Sequence, residues 1–301
     1  MDIRRFLQVS HFAWIQSKDI SKNEGKGLGY RLRLYFDMIY CFLKYRMWTN
    51  QYVKETFWAK NKEEREVLGA KYKEEGIKRD AWQKDFRENR KFLIKYSDIK
   101  YEGVPLRYER NRKYAERYHT GQNFVVEYDV HLSRQHYLDG SITIGDNVLL
   151  SKHVTIDYSG DVVIMDDVKF SDGVIVESHT HSGYTNPSLT GREPKKVSLT
   201  IEEGCVIGTK SIILESCHRI GRHARIGAGS VIRFDIPPYA IVIGNPCKIV
   251  GFSFTPQEMQ EFEINKYPPN QRISIEEYEK LYKKYFSSKL KDIKAYIKRS
   301  I

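Results

Sequence analysis

The chain has 301 residues, room for one large domain or two, and its 41% apolar content is enough for a substantial core. Its net charge of +11 is unevenly placed: residues 1–140 carry 29 Lys and Arg against 20 acids, whereas residues 141–252 carry 11 against 12. No run of eighteen apolar residues marks a spanning helix, no cleavable leader opens the chain, and no nucleic-acid motif accompanies the basic surplus, so a cytoplasmic protein without a nucleic-acid partner is expected.

Residues 1–29 are weakly patterned and end in Gly25, Gly27 and Gly29, which read as a turn. From Tyr30 to Trp58 apolar residues recur at three and four positions (Leu32, Tyr35, Phe36, Ile39, Phe42, Leu43, Met47), the spacing of an amphipathic helix. Arg31, Arg33, Lys44 and Arg46 flank this stripe. Two readings stay open: packing within the protein or on a neighbouring subunit, and peripheral contact with an anionic membrane at its inner face. Residues 60–96 are charged surface helices with Trp82, Phe86, Phe92 and Leu93 as a sparse core face. Gly103 and Pro105 mark a break, and a short helix follows over 108–118. Residues 1–123 are therefore assigned to a helical N-terminal domain.

At Phe124 the pattern turns to strand, and from Ile144 to Ile232 an aliphatic or aromatic residue returns every six positions. The series runs Ile144, Leu150, Ile156; Ile164, Phe170, Val176; Ile201, Ile207, Ile213; Ile220, Ile226, Ile232. Four residues after most of these stands something small or β-branched, such as Val148, Val154, Cys205, Ser211, Cys217 or Ala224. A six-residue period fits neither a helix nor an alternating strand. It fits a coil with three flat faces, one large side chain per face pointing inward and a small one filling each corner, the hexapeptide β-helix signature. The cysteines form no CxxC pair, and Cys205 and Cys217 fall on small inward positions, as in a reduced compartment. The register slips after Ile156 and before Ile220 and breaks between Val176 and Ile201, where loops should leave the coil. The fold class expected is mainly β: a parallel β-helix over 124–252, followed by a helical extension over 253–301 that starts at Thr255-Pro256 and continues after Pro268-Pro269 from about Ser274 to Ile297.

Three segments carry a resemblance: Thr143-Ile144-Gly145-Asp146-Asn147-Val148; Ile226-Gly227-Ala228-Gly229-Ser230-Val231 with Asp235-Ile236-Pro237-Pro238; and Gly244-Asn245-Pro246-Cys247-Lys248. Over roughly residues 124–252 the chain resembles hexapeptide-repeat acyltransferases, nearest the galactoside/maltose and the capsule/lipopolysaccharide O-acetyltransferases. The resemblance implies a left-handed coil, a homotrimer with active sites between subunits, acetyl-CoA as donor and a sugar or surface-polysaccharide precursor as acceptor. In that family the catalytic His follows an inward aliphatic by five residues and opens the interrupting loop. Val176 is that aliphatic, and the fifth residue on is His181.

The chemistry suits an imidazole. A hydroxyl attacks a thioester only as a base removes its proton, and the oxyanion that forms needs a pre-placed donor. The resemblance assigns His181 as base and a backbone amide near Gly208-Thr209 as donor, with no acyl-enzyme. His179, two residues away on a strand and so facing the same way, is its competitor and otherwise a supporting group. Register places Ser151, Asp157 and Tyr158 on the acceptor side, with Tyr184 in the loop; Asp157 binds a hydroxyl, orients an imidazole or simply faces solvent. Gly227 and Ala228 leave room for the pantetheine arm, and Arg233 and Lys248 match family positions near the phosphates. No metal ligand set is assigned. Three alternatives remain: a serine O-acetyltransferase, disfavoured because Tyr158 stands where that family has His; a zinc hydratase of the γ-carbonic anhydrase type, with His179 and His181 imitating two ligands; and a non-catalytic trimeric scaffold.

Overall fold

The computed structural model describes residues 3–45, 62–181 and 194–286. The chain divides between Lys78 and Arg79 into two compact units. The first contains an antiparallel pair of helices, α1 (Ile3–Asn23) and α2 (Leu28–Tyr45), and the start of a long helix α3 (Lys62–Tyr96). Helix α1 occupies the stretch expected to be weakly patterned. Its inward stripe is Val9, Ala13, Ser17 and Ser21, all buried and four residues apart. Small side chains at this spacing let α2 approach closely but supply no hydrophobic periodicity for a reader of sequence. Arg31 of α2 lies 3.8 Å from the Trp14 ring, and Tyr35 meets Trp14 edge-on at 5.7 Å and Ser10 through a 2.6 Å hydrogen bond. The expected helix over 30–58 is present through Tyr45, and its remainder lies outside the described residues.

The second unit is built on the coil. Sheet one has the order β1 (Val125–Val126), β4 (Leu149–Leu150), β7 (Lys169–Phe170), β12 (Val206–Ile207), β15 (Arg225–Ile226), β17 (Ala240–Ile243), β18 (Lys248–Phe252). Sheet two runs β2 (His131–Ser133), β5 (Thr155–Asp157), β8 (Ile175–Val176), β13 (Ile212–Ile213), β16 (Val231–Ile232). Sheet three runs β3 (Ile142–Ile144), β6 (Val162–Ile164), β11 (Leu199–Ile201), β14 (Arg219–Ile220). Within these three sheets every pairing is parallel except β17 with β18, and each six-residue step moves the chain to the next face. The period therefore appears as three stacks of buried side chains: Val126, Leu150, Phe170, Ile207, Ile226 and Val242; Leu132, Ile156, Val176, Ile213 and Ile232; Ile144, Ile164, Ile201, Ile220 and Ile236. Each such residue contributes about 1.5–3 kcal/mol by leaving water. Corners are filled by the small residues read from sequence, with Val148, Val154, Cys205, Ser211 and Ala224 fully buried.

Two caps close this solenoid, as exposed end coils require. At one end Phe92 of α3 packs on Tyr114 and Tyr118 of α4 (Leu106–Tyr118), and both tyrosine hydroxyls donate to carbonyls of the first coil, at Val130 and Leu132. The compact unit that holds the β-helix begins at Arg79 and so includes this helical cap together with the coil. At the other end α5 (Pro256–Lys266) starts with a full capping box between Thr255 and Glu258. Its Glu263, 1% exposed, accepts hydrogen bonds from the Tyr239 hydroxyl and the Ile273 amide. Helix α6 (Ile275–Phe286) buries Tyr278 against Tyr239 and Phe252; its expected continuation to Ile297 lies outside the described residues.

Candidate active site

After β8 the chain leaves the coil. Strand β9 (His179–His181) pairs antiparallel with β10 (Pro194–Lys196), and residues 182–193 of this excursion, here called the arm, lie outside the described residues. The break in the period thus begins and ends as an antiparallel strand pair. The return path runs so close to the coil that a Cβ on Gly160 would sit 2.1 Å from the Val197 carbonyl oxygen and 2.3 Å from that of Ser178. Only glycine fits there. The Gly160 amide also donates to the Ser178 hydroxyl at 2.9 Å, which ties the exit to the coil below.

Asp157 ends β5, one coil below the exit, with its side chain only 3% exposed. One carboxylate oxygen accepts from the Ser159 hydroxyl (2.6 Å), the Ser159 amide (3.0 Å) and the Gln135 amide (3.3 Å). The other lies 2.5 Å from His179 Nδ1 and 3.4 Å from the Ser178 amide nitrogen. Burial by itself pushes this carboxyl up, but the hydrogen bonds from Ser159 and His179 outweigh it and hold the group below its ordinary value. An ionised Asp157 can only accept, so His179 Nδ1 is the donor and the neutral ring's lone pair is on Nε2, facing away from the carboxylate. Of the openings left for Asp157 by sequence, the structure displays the one that orients an imidazole.

Two further imidazoles gather here. His181 lies 5.0 Å from His179 between ring centroids, and His136, from the segment after β2, lies 4.4 Å from His179 and 4.9 Å from His181, all edge-on. Burial, then the proximity of His179 and His181, pushes His136 below its usual pKa. Glu177 is 3.9 Å from His179 Nδ1, and burial followed by repulsion from Asp157 pushes its carboxyl up. His136 was not singled out from sequence. Leu132 pairs with Ile156, and Ile156 with Val176, so His136 leaves the same edge of the coil as His179, but 24 residues separate Leu132 from Ile156 where three six-residue faces take 18, so the period does not reach it. The first coil is too irregular for the count to be obvious.

The other expected residues lie elsewhere. Amides of Ser151, Gly208 and Gly227 donate to Phe170, Ile226 and Val242 carbonyls, so these three stack along the edge after sheet one, with Thr209 and Ala228 beside them. The pair Asp157 and His179 belongs to the edge after sheet two. Within a single chain the two sets occupy different edges of the same coil. Cβ atoms on Gly208 and Gly227 would meet the Ala228 nitrogen at 2.6 Å and an Ile243 methyl at 2.5 Å, so the first edge is tightly stacked. Arg233 follows β16 and Lys248 opens β18, both exposed. Tyr158 is buried and faces Tyr118 of the helical cap at 6.3 Å, so it packs the cap. Tyr184 lies outside the described residues. Among the described residues no helix is long and apolar enough to cross a membrane.

No family model matches the sequence. The chain is 28% identical over 137 residues to the galactoside O-acetyltransferase of Escherichia coli, a match covering 46% of this chain and 55% of that protein. It is 29% identical over 122 residues to the serine acetyltransferase of Salmonella typhimurium, covering 40% of this chain and 42% of that one. The chain therefore spans about half the length of the curated relatives it matches. Among solved structures, a galactoside acetyltransferase in complex with coenzyme A superposes with a TM-score of 0.48 and 24% identity, covering 58% of this chain and 87% of that one.

Proposed function

We propose that this chain, a hexapeptide-repeat β-helix similar in sequence to galactoside O-acetyltransferases, moves an acetyl group from acetyl-CoA to a hydroxyl of a sugar or surface-glycan precursor. The observation that carries the reading is the 2.5 Å contact between buried Asp157 and His179 Nδ1 at the root of the arm. The family resemblance favours His181 as the base, but hydrogen bonding favours His179. Its ring is held in one tautomer by a carboxylate, and an oriented lone pair is what proton abstraction requires. In this scheme His179 Nε2 takes the acceptor's proton as its oxygen attacks the thioester carbonyl. The tetrahedral oxyanion is met by a backbone amide at Gly208-Thr209, and collapse expels the coenzyme A thiolate, which takes back the proton from His179. No covalent enzyme intermediate is needed.

Two edges of the coil must meet for this to work. Since His179 and Thr209 lie on different edges of one chain, the complete site takes His179 from one copy and the Gly208-Thr209 and Gly227-Ala228 edge from another. A three-faced coil has the shape to repeat this contact around a threefold axis, so a homotrimer is the assembly expected. Arg233 and Lys248 are the cations offered to the coenzyme phosphates.

An acetyl-CoA turnover screen over free and lipid-linked oligosaccharides, with serine as control, tests the reading. Thiol release with a glycan acceptor and none with serine supports it. Turnover with serine alone would move the chain to the other set of relatives, against the burial of Tyr158 where those enzymes are expected to carry His.

A further inference from the structure

We propose that His136, His179 and His181 together bind a divalent transition-metal ion of the zinc class. A ligating nitrogen from each ring lies within 4.8 Å of the other two. Tetrahedral zinc at about 2.0–2.1 Å from nitrogen needs donors about 3.3 Å apart, so the rings would draw in on binding.

Three separate features of the site fit such an ion. His181 Nδ1 is buried, and it has no hydrogen-bond partner among the described residues. A buried ring nitrogen without a partner is costly, and a metal is a partner that satisfies it. Next, His179 already has the arrangement of a metal ligand: a carboxylate holds Nδ1, which fixes the tautomer and makes Nε2 the coordinating atom. Finally, the three rings come from two separate segments of the chain, each held in place. His136 is anchored through its amide to the Ser159 hydroxyl at 3.1 Å, while His179 and His181 sit on a strand pinned by β10. The donor set is three neutral nitrogens, which suits zinc, nickel, cobalt or copper and not calcium or magnesium. Three protein ligands leave a fourth position for water.

This inference does not rest on acetyl transfer. One consequence does: a bound ion takes the lone pair that a base needs, so metal occupancy and transfer would exclude one another. The site would then act as a metal-dependent brake.

The test is equilibrium dialysis of tag-free, full-length protein against Zn2+, repeated with Co2+ to read its visible absorption. The expected result is one ion per chain with tetrahedral cobalt bands. Binding should weaken by more than about 100-fold in H136Q and in H181Q, and by about 10- to 100-fold in D157N, which touches the ion only through His179. Circular dichroism checks that each variant is folded; if H136Q fails, H136N replaces it. Substoichiometric uptake by the wild-type chain, or uptake that persists in the H136Q/H181Q double variant, overturns the proposal. Turnover is measured separately on the same samples, so absence of transferase activity leaves the metal result standing and the converse holds as well.

Discussion

The coil and the α1–α2 pair solve the problem of apolar surface in opposite ways. In the coil each large side chain has one place to go, and Phe170 at position six of its face is 0% exposed. In the helical pair the buried stripe is small, and the large residues Phe6, Trp14, Leu32 and Phe36 stay exposed, Phe36 by 64%. One region spends its hydrophobic side chains on its own core. The other leaves them exposed among the described residues. Stability should therefore be concentrated in the coil and surface chemistry in the α1–α2 pair.

Substitutions can break this contrast. The largest effect is expected from Phe170→Ala, which empties a fully buried site and should cost about 3–5 kcal/mol in denaturant unfolding. A loss below about 1 kcal/mol would mean that the stack is not the core of the unit. Next is Gly160→Ala, whose new methyl must push the Ser178 and Val197 carbonyls apart, at about 1–3 kcal/mol. It should also lower turnover by moving His179 off Asp157. Unchanged turnover would show that the arm tolerates a shifted root.

A third expectation concerns pH. Burial, then the nearby cations Lys266, Arg222 and Arg225, push His223 down to about 4, where it stacks on Tyr239 at 5.5 Å and bonds the Tyr267 hydroxyl at 2.7 Å. The unfolded chain protonates this ring near its ordinary value of about 6.5, before the folded chain does. Stability from this group is present above that value and is lost as pH falls toward 4. Because the ring is only about half buried, the loss is discounted to about 1–2 kcal/mol. His223→Phe should flatten that part of the stability profile; an unchanged slope would assign the pH dependence to other groups. The smallest effect belongs to the α1–α2 pair: Phe36→Ser should change stability by no more than about 0.5 kcal/mol. A loss several times larger would place Phe36 in an interface that the isolated chain does not display.

The same contrast explains what was legible in the residues. The coil's inward set could be read almost completely, because a six-residue count names one buried side chain per face. Ile207 and Ile226 pair directly, as that count requires. The period also located the exit after Val176, the two histidines on it and Asp157 beneath. It failed where regularity fails. His136 stands in the irregular first coil, and α1 packs through Val9, Ala13, Ser17 and Ser21, whose sizes carry no hydrophobic signal. The packing of α4 on the coil was hidden because it runs through aromatic residues, Tyr114 and Tyr118, on a helix otherwise rich in charge. The family resemblance ranks His181 first, and only three-dimensional contact reveals that the carboxylate holds His179.

The central claim is that the Asp157-held imidazole does the chemistry. The most direct measurement is steady-state acetyl-CoA turnover by the His179→Ala and His181→Ala variants, with coenzyme A binding followed by calorimetry. The account predicts that His179→Ala loses about 10²–10⁴-fold in kcat while binding coenzyme A as the wild type does, and that His181→Ala retains most of its turnover. A His179→Ala enzyme that turns over normally beside an inactive His181→Ala enzyme would contradict it.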